Sequence, residues 1–324
     1  MQKTERGKEI SELNVAMIGC GRTGRQHAGE CAKLGARVAI LCDPDRERAQ
    51  ELGQNHPTAR ITNRAEEIDW RGIDAAFLCI PPVARGPIEI AAAQSGVHLF
   101  LEKPVGLSAA QAQLILEAVL RAGVLTAVGY MNRYRESVQQ AKALCDEFGL
   151  LGMACYWVGS AYRVPWWGRC EESGGQLNEQ CTHFFDLIRY YCGEIVEVAA
   201  GSQQPAESWC LEVDPAVAVT CRTKVGMATL YASCAASTKQ IGIELFTGAK
   251  QISLDGWDLR LRGDATAAAA TDPMQQEVHA FLSAVGGSPV SLILSDLADA
   301  LCTQAAVDAA ARAIKSRRWE TVAS

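Results

Sequence analysis

The residues with the clearest chemical potential form a glycine-rich turn near the start of the chain. The sequence there matches G-x-G-x-x-G and consists of Gly19, Cys20, Gly21, Arg22, Thr23 and Gly24. A strand is predicted just before the turn and a helix just after it, which is the context in which this pattern binds phosphates. The first glycine permits a tight turn, the second lets the backbone approach a pyrophosphate, and the third lets helix and strand pack closely. The turn therefore predicts a dinucleotide site at a helix N-terminus.

An acidic residue stands where such a site needs one. Asp43 ends the second predicted strand, about 20 residues beyond the turn. A carboxylate at this point accepts hydrogen bonds from the ribose hydroxyls and repels a 2′-phosphate, so the sequence favours NAD over NADP. Arg46 and Arg48 nearby weaken this preference, although we interpret them as solvated helix charges.

A second pair of chemically useful residues lies in a helix predicted at 176–191. Glu179 and His183 are i, i+4 neighbours there, close enough for a carboxylate to orient an imidazole. Imidazole suits the removal of a hydroxyl proton during hydride transfer from a secondary alcohol. The same spacing is also typical of a solvent-facing polar stripe opposite an apolar one. That apolar stripe consists of Leu177, Cys181, Phe184, Ile188 and Tyr191.

The elements that position these residues alternate between strands and helices over the first 130 residues. Apolar strands are predicted at 15–18, 37–42, 74–80, 98–101 and 125–128, with helices at 22–34, 45–52, 88–95 and 108–122. Continuous apolar strands separated by helices indicate a parallel sheet covered on both faces. We therefore predict an α/β Rossmann domain with a doubly wound parallel sheet at residues 1–130.

The pattern changes after Gly129. Strands in which polar and apolar residues alternate are predicted at 153–158, 216–222, 227–232 and 241–246, with helices at 134–147, 176–191, 273–285 and 295–317. Such alternation indicates a largely antiparallel sheet. We therefore predict a second, α+β domain at residues 131–324 that binds the substrate.

Composition and charge argue against several classes of protein. With 324 residues, 48% hydrophobic and 21% charged, the chain is globular and long enough for two domains. A net charge of −6 and a pI near 5.5 disfavour nucleic acid or an anionic membrane as the main partner. No uninterrupted apolar run approaches the roughly 20 residues that span a bilayer. The polar segment 1–12 lacks a secretory signal's apolar core, and the 13 cysteines, scattered without metal-site spacing, indicate free thiols. We therefore expect a cytoplasmic protein without a metal.

Together with several further segments, these residues resemble the glucose–fructose oxidoreductase/inositol dehydrogenase (Gfo/Idh/MocA) family. The resemblance spans residues 14 to about 191, and the closing helices fit it as well. Besides the glycine turn and Asp43, it rests on Cys79-Ile80-Pro81-Pro82, Glu102-Lys103-Pro104, Gly129-Tyr130-Met131-Asn132-Arg133 and the segment 173–183. Glu-Lys-Pro together with the Gly-Gly-x-Leu…His segment is fairly specific.

The resemblance implies how the chain works and assembles. It implies a Rossmann domain joined to a domain with a large open-faced sheet, through which we expect a homodimer or homotetramer. Sugars, polyols and their derivatives are the implied substrates, and Lys103 is the implied catalytic lysine, often followed by a cis bond to the proline. Further cofactor contacts are implied for Cys79, Ile80, Pro81, Pro82, Glu102, Lys103 and Asn132.

On this basis we assign His183 as general acid/base, Lys103 as its proton partner or oxyanion stabiliser, and Glu179 as the group that orients and holds charge. These three are also expected to contact substrate. Further cleft-lining residues, whose rings and polar groups suit sugar rings and hydroxyls, are Tyr130, Arg133, Tyr162, Trp166 and Trp167. Three departures from the family pattern bear on the pocket: Glu179 replaces the usual Asp, Cys181 the usual Gly, and Arg85 a common His.

The leading interpretation is an NAD-dependent dehydrogenase or reductase acting on a secondary alcohol or ketone of a sugar, polyol or cyclitol. A glycosidase that uses bound NAD for transient oxidation and elimination is one alternative. A non-catalytic NAD-binding regulator is another, and the retained lysine, carboxylate and histidine argue against it. A tightly bound, non-exchanging cofactor that shows no net reduction would favour the glycosidase.

Overall fold

The computed structural model describes residues 7–206, 208–263 and 272–323. These residues form two sheets, each with its own set of helices. Residues 1–6 of the polar N-terminal segment lie outside the described residues. The segment then enters the first strand through a short 3-10 turn at Ile10–Glu12.

The first sheet has six parallel strands in the order β3-β2-β1-β4-β5-β6. The strands are β1 (Asn14–Ile18), β2 (Arg37–Cys42), β3 (Arg60–Thr62), β4 (Ala75–Leu78), β5 (His98–Leu101) and β6 (Thr126–Val128). The helices beside it are α1 (Arg22–Lys33), α2 (Arg46–Gly53), α3 (Pro87–Gln94) and α4 (Ala109–Ala122). Every residue of β4 is buried, as expected when helices cover both faces. The predicted doubly wound parallel sheet is confirmed; only the three-residue β3 had been missed.

The strand order reverses between β1 and β4, and the glycine turn lies at this point. Gly19 directly follows β1 and donates its N–H to the Cys42 carbonyl at 2.8 Å. Cys79 directly follows β4 and donates to the Ile18 carbonyl at 2.7 Å. Ligands of such sheets bind in the crevice beyond the carboxyl ends of the strands at the reversal, so the fold places the turn where a cofactor is held.

The second sheet has eight strands in the order β13-β12-β11-β7-β10-β9-β8-β14. The strands are β7 (Leu150–Ser160), β8 (Ile195–Ser202), β9 (Ala216–Thr223), β10 (Met227–Ser233), β11 (Ala235–Thr247), β12 (Gln251–Asp255), β13 (Arg260–Leu261) and β14 (Glu320–Thr321). All neighbours pair antiparallel except β7 and β10, which are parallel. Along β10, Leu230 is buried and its neighbour Tyr231 exposed, so one face is open. The predicted, mostly antiparallel sheet is confirmed.

Six helices belong to the second half of the chain within the described residues. They are α5 (Glu136–Phe148), α6 (Cys170–Ser173), α7 (Gly175–Glu179), α8 (Thr182–Cys192), α9 (Pro273–Val285) and α10 (Leu297–Ser316). Helices α8 and α10 pack on the inner face of the second sheet. Helix α9 instead packs on the first sheet, where the Phe281 ring lies 5.7 Å from the rings of Phe77 and Phe100. The domain boundary at 130/131 stays a prediction. Helix α9 follows that boundary in sequence but packs on the first sheet.

The helix predicted at 176–191 is wrong as a single element. Helix α7 ends at Glu179 and α8 begins at Thr182. The reason lies in a distant residue: the Glu179 carbonyl accepts a hydrogen bond from the Lys103 ammonium at 2.9 Å. In a continuous helix that carbonyl would accept the N–H of the residue four positions later, His183. The lysine thus occupies a helical hydrogen-bond acceptor, which no local pattern reveals.

The segment Val290–Ser316, which contains α10, is long and apolar enough to cross a membrane by length and composition alone. In this structure 44% of its most apolar window is buried within the protein. Helix α10 packs against α4, α8 and β8, the position of a core helix.

Candidate active site

The glycine turn has the shape of a phosphate cradle. Gly19 has a φ of +90°, and a Cβ there would lie 2.2 Å from the Cys79 carbonyl oxygen. A Cβ at Gly24 would lie 1.9 Å from the Gly19 oxygen, so helix and turn are in contact. A Cβ at Gly21 would meet nothing within 4 Å, and this is the open space that a side chain would fill. Helix α1 begins at Arg22 beside that space, so these residues fit a bound pyrophosphate.

Asp43 is hydrogen-bonded to the backbone of the glycine turn. Its carboxylate accepts the Cys20 backbone N–H at 2.8 Å and the Asp45 N–H at 2.9 Å. The Arg48 guanidinium lies 3.6 Å from the same carboxylate. The side chain stands at the end of β2, next to the turn, as a ribose-binding carboxylate requires. Arg48 is therefore paired with acidic groups, Asp43 and Asp45, as well as solvated.

The Lys103 ammonium is clamped to Glu179. Its Nζ donates to Glu179 Oε1 at 2.6 Å and to the Glu179 carbonyl at 2.9 Å. The bond from Lys103 to Pro104 is cis, as the resemblance implies. Burial opposes the charge on Lys103, but the charge and hydrogen bond of Glu179 outweigh it and raise the lysine's pKa. Lys103 is therefore a cation at neutral pH, with one of its three N–H donors unused by Glu179.

Glu179 does not orient His183, so that part of the prediction is wrong. Its second carboxylate oxygen, Oε2, accepts the indole N–H of Trp167 at 2.7 Å. Both oxygens of Glu179 thus serve groups other than the imidazole. The break between α7 and α8 removes the continuous helical spacing on which the expected contact depended.

His183 is a buried imidazole held by rings. Its ring stacks on that of Trp157, with centroids 6.1 Å apart and planes 12° from parallel. Within the described part of the chain, its Nδ1 has no hydrogen-bond partner. Burial, followed by the charges of Lys103, Arg135 and Lys239, lowers the His183 pKa well below its usual value. The imidazole is therefore neutral at physiological pH and able to accept a proton.

Comparison with known proteins agrees with this arrangement. Residues 13–130 match the model of the GFO_IDH_MocA oxidoreductase family with an NAD-binding Rossmann fold, and residues 149–252 match the GFO/IDH/MocA C-terminal domain. The chain belongs to the Gfo/Idh/MocA family. The predicted resemblance is thereby confirmed, and with it the assignment to NAD-binding oxidoreductases.

Individual known proteins resemble this chain over different extents. The scyllo-inositol 2-dehydrogenase (NAD(+)) of Bacillus subtilis (strain 168) is 28% identical over 59% of this chain and 57% of its own length, a little over half of that protein. Myo-inositol dehydrogenase Hyg17 of Streptomyces leeuwenhoekii is 25% identical over 86% of this chain and 90% of its own. The WlbA dehydrogenase of Bordetella pertussis, solved with NADH and UDP-GlcNAcA, superposes with a TM-score of 0.86 at 19% identity, covering 97% of this chain and 98% of its own.

Two of the three departures from the Gfo/Idh/MocA pattern have a structural account. Arg85 is buried next to the Glu-Lys-Pro segment. Its guanidinium donates to the backbone carbonyl of Glu102 and, at 3.0 Å, to that of Pro104. It also pairs with the buried Glu89 at 3.2 Å. Cys181 is fully buried in the core of the second sheet. Arg85 therefore supports the lysine segment instead of lining the pocket.

Glu102 was expected to contact cofactor, but its carboxylate has partners inside the protein. Oε1 lies 2.6 Å from His27 Nε2, and Oε2 accepts the Lys103 N–H at 3.1 Å. Burial raises the Glu102 pKa, but the hydrogen bond and charge of His27, then Lys103 and Arg85, lower it overall. The carboxyl of Glu277 completes a buried cluster whose potential ligand atoms lie within 4.8 Å of one another. Burial, followed by the charges of Glu102 and Asp272, raises the Glu277 pKa well above its usual value.

Sequence reasoning missed His27 and Arg85 as supports of the lysine. Both lie on helices or turns far from Glu102 along the chain, so spacing gave no signal. A fully buried charged or polar side chain is the signal that a structure supplies.

Two predicted cleft residues prove to be structural. Tyr130 is 1% exposed, and its hydroxyl lies 2.9 Å from the Thr182 hydroxyl. The Arg133 guanidinium is buried between Asp186 and Asp299, at 2.6 and 2.8 Å. Neither presents a free polar group to a substrate, so the expectation that they line the cleft is wrong.

The other predicted site residues lie either at the cleft that His183 borders or in the structure around it. Asn132 borders a small cleft together with His183 and Trp157, although its Oδ1 accepts from Arg135 at 2.8 Å. Trp167 is 1% exposed and donates its indole N–H to Glu179. Tyr162 and Trp166 are partly buried against Trp167. Cys79, Ile80, Pro81 and Pro82 follow β4 opposite the glycine turn, with Pro82 opening a 3-10 turn.

Proposed function

We propose that this chain is an NAD-dependent dehydrogenase or reductase that interconverts a secondary alcohol and a ketone of a sugar, polyol or cyclitol. The observation that carries the proposal is an ammonium held at 2.6 Å by a carboxylate, Lys103 on Glu179, whose charge acts on the buried imidazole of His183. Lys103 is held charged by Glu179, and its charge helps to hold His183 neutral. One group can then donate a hydrogen bond to the substrate oxygen while the other accepts its proton.

The chemistry balances with these residues. NAD, when bound, accepts the hydrogen and the electron pair that leave the carbinol carbon. The neutral imidazole of His183 takes the hydroxyl proton, and the C–O bond becomes a carbonyl. The unused N–H of Lys103 stabilises the negative charge that develops on that oxygen. Glu179 keeps Lys103 charged and fixes its direction through both its carboxylate and its carbonyl.

The NAD side of the site rests on the first half of the chain. The Gly21 space and the start of α1 would hold the pyrophosphate. Asp43 at the end of β2 would accept the ribose hydroxyls and disfavour a 2′-phosphate, which supports NAD over NADP. The named inositol dehydrogenases among the relatives support a polyol or cyclitol as the substrate.

The proposal is tested with the whole protein, NAD and a panel of polyols, cyclitols and sugars, by following absorbance of the reduced cofactor. We expect turnover with at least one compound. Lys103→Met and His183→Ala should each lower kcat by about 100-fold or more, with the NAD dissociation constant changed less than about threefold. Near-normal turnover in both variants would overturn the assignment. Bound, non-exchanging cofactor with cleavage of glycosides and no net reduction would identify the glycosidase instead.

We also propose that the open face of the second sheet joins copies of the chain. Tyr231, Met227 and Phe246 are 46%, 43% and 41% exposed on this sheet. The same face carries the small side chains of Ala199 and Ala218 in a shallow hollow beside Tyr231. Light scattering coupled to size exclusion measures the assembly, and a monomer at micromolar concentration would contradict it.

A further inference from the structure

Lys239, which is not one of the proposed catalytic residues, lies over two tryptophans that border the same cleft as His183. Lys239 is on β11, at the point where pairing with β7 becomes irregular between Ala235 and Gln240. Its Nζ lies 3.6 Å from the ring centroid of Trp257 and 5.1 Å from that of Trp157. Trp157 in turn stacks on His183, so one indole separates this ammonium from the proposed base.

We infer that the substrate of this site carries an oxyanion group, a carboxylate or a phosphate, which pairs with Lys239. The inference rests on the proposed function and names the substrate class more narrowly than a neutral polyol. The two indoles would receive the apolar face of the same ring.

The charge balance of the cleft supports the inference. Across residues 7–206, 208–263 and 272–323, no carboxylate oxygen lies within 4.0 Å of Lys239 Nζ. The carboxylate of the proposed site, Glu179, is occupied by Lys103 and Trp167. Lys239 therefore brings a positive charge to the substrate side that the described side chains leave unmatched.

Both indoles that hold the Lys239 ammonium, Trp157 and Trp257, border the cleft on which His183 lies. Loss of water around the ammonium, followed by the charge of Arg22, lowers the Lys239 pKa. Arg22 opens α1 at the glycine turn. The pyrophosphate of a bound dinucleotide accounts for Arg22. It does not account for Lys239, which stands with the tryptophans next to His183.

An unmatched ammonium suits an oxyanion better than it suits hydroxyls. Lysine is a compact point charge, and its hydrogen bonds to carboxylate or phosphate are stronger than those to neutral acceptors. The indole faces hold the cation in place without neutralising it. The Lys239 side chain is solvent-exposed, so the arrangement presents an accessible charge without a carboxylate partner, one indole away from His183.

The test compares three matched compounds: glucose, glucuronate and glucose 6-phosphate, with myo-inositol as a second neutral compound. We expect kcat/KM with NAD to be higher for at least one anionic member than for its neutral parent, and the preferred member tells carboxylate from phosphate. In Lys239→Met that preference should fall by about tenfold or more, the size of one charge-assisted hydrogen bond, chiefly through KM. Lys239→Arg should restore most of it.

Lys250→Met is the matched control, because Lys250 Nζ also lies over an aromatic ring, 4.4 Å from Phe148, but away from the site. It should leave the preference unchanged. A neutral compound preferred over both anions, or an equal preference in Lys239→Met and the wild type, overturns the inference.

A failure of the proposed function is distinguished from a failure of the inference by direct binding. If no compound is oxidised, calorimetry measures glucuronate and inorganic phosphate binding to the NAD-loaded protein. Binding that is lost in Lys239→Met upholds the anion site while the dehydrogenase proposal falls. No binding, or equal binding by both proteins, rejects the anion site as well.

Discussion

The glycine turn at 19–24 and the segment 175–192 both carry proposed site residues, yet they are built in different ways. The turn is made by neighbours in sequence: Gly19, Gly24 and the start of α1 fix one another's positions. The segment 175–192 takes its shape from distant parts of the chain. Lys103 occupies the Glu179 carbonyl and Trp167 the Glu179 carboxylate, and neither is a helical neighbour.

The comparison shows which functional groups a short sequence pattern can encode and which depend on contacts between distant residues. A phosphate needs only backbone N–H groups and room, which a short pattern can encode. A proton-transfer site needs two groups with opposite charge states, and only long-range contacts can set them. The same lysine that keeps its charge through Glu179 also ends the helix that would otherwise run through it.

Substituting Gly21 tests whether the turn binds NAD because it leaves room for the pyrophosphate. The expected loss of NAD affinity is the largest effect of the substitutions that compare the two regions. Gly21→Ala places a methyl group where no atom lies within 4 Å, so the apoprotein should lose less than about 1 kcal/mol of stability as a helix N-cap residue. The NAD dissociation constant should rise about 100-fold, or about 2.7 kcal/mol, because that space is where the pyrophosphate approaches. Thermal unfolding and calorimetric titration measure the two quantities.

Gly29→Ala is the control for this substitution. Gly29 lies within α1, and a Cβ there also meets nothing within 4 Å. It should gain about 0.5–1 kcal/mol of stability from helix propensity and bind NAD unchanged. If Gly21→Ala binds NAD as the control does, the cradle is not the cofactor site.

The sequence predicted the first region closely and the second only in part. Strand and helix periodicity, the turn and the placement of Asp43 all follow from residues near one another. Residues 179 and 183 were found as chemical candidates, but their mutual contact was wrong because Lys103 interrupts the helix. Tyr130 and Arg133 were misplaced for a related reason: Thr182, Asp186 and Asp299 bury their polar groups, and no spacing rule pairs them.

The pH dependence of oxidation probes the second region directly. A neutral imidazole accepts the proton and a protonated one cannot, so kcat/KM falls as pH drops through the His183 pKa. Because burial and nearby cations lower that pKa, the acidic limb should lie below pH ~6.5, the ordinary histidine value. Lys103→Met removes the first of those cations and should raise the His183 pKa, measured by NMR titration of the ring protons. An unchanged His183 titration would show that the lysine does not act on the imidazole.

The smallest expected effect comes from Trp167, which reaches the site only through Glu179. Trp167→Phe keeps an aromatic ring but removes the N–H that holds Glu179 Oε2 at 2.7 Å. Freed on that side, the carboxylate should hold Lys103 less well, and kcat should fall about tenfold, the size of one hydrogen bond to a charged group. NAD affinity, which depends on the other region, should not change.

Trp209→Phe separates this contact from general loss of packing. Trp209 belongs to the same aromatic cluster, and its indole N–H donates to the Val213 carbonyl at 2.8 Å, away from Glu179. Both variants should lose stability in thermal unfolding, the buried Trp167 at least as much as the partly buried Trp209, but only Trp167→Phe should lower kcat. Equal losses of kcat would mean that the cluster merely stabilises the fold. A selective loss would show that the carboxylate's orientation is set by a residue 12 positions away in sequence, through a contact that spacing does not encode.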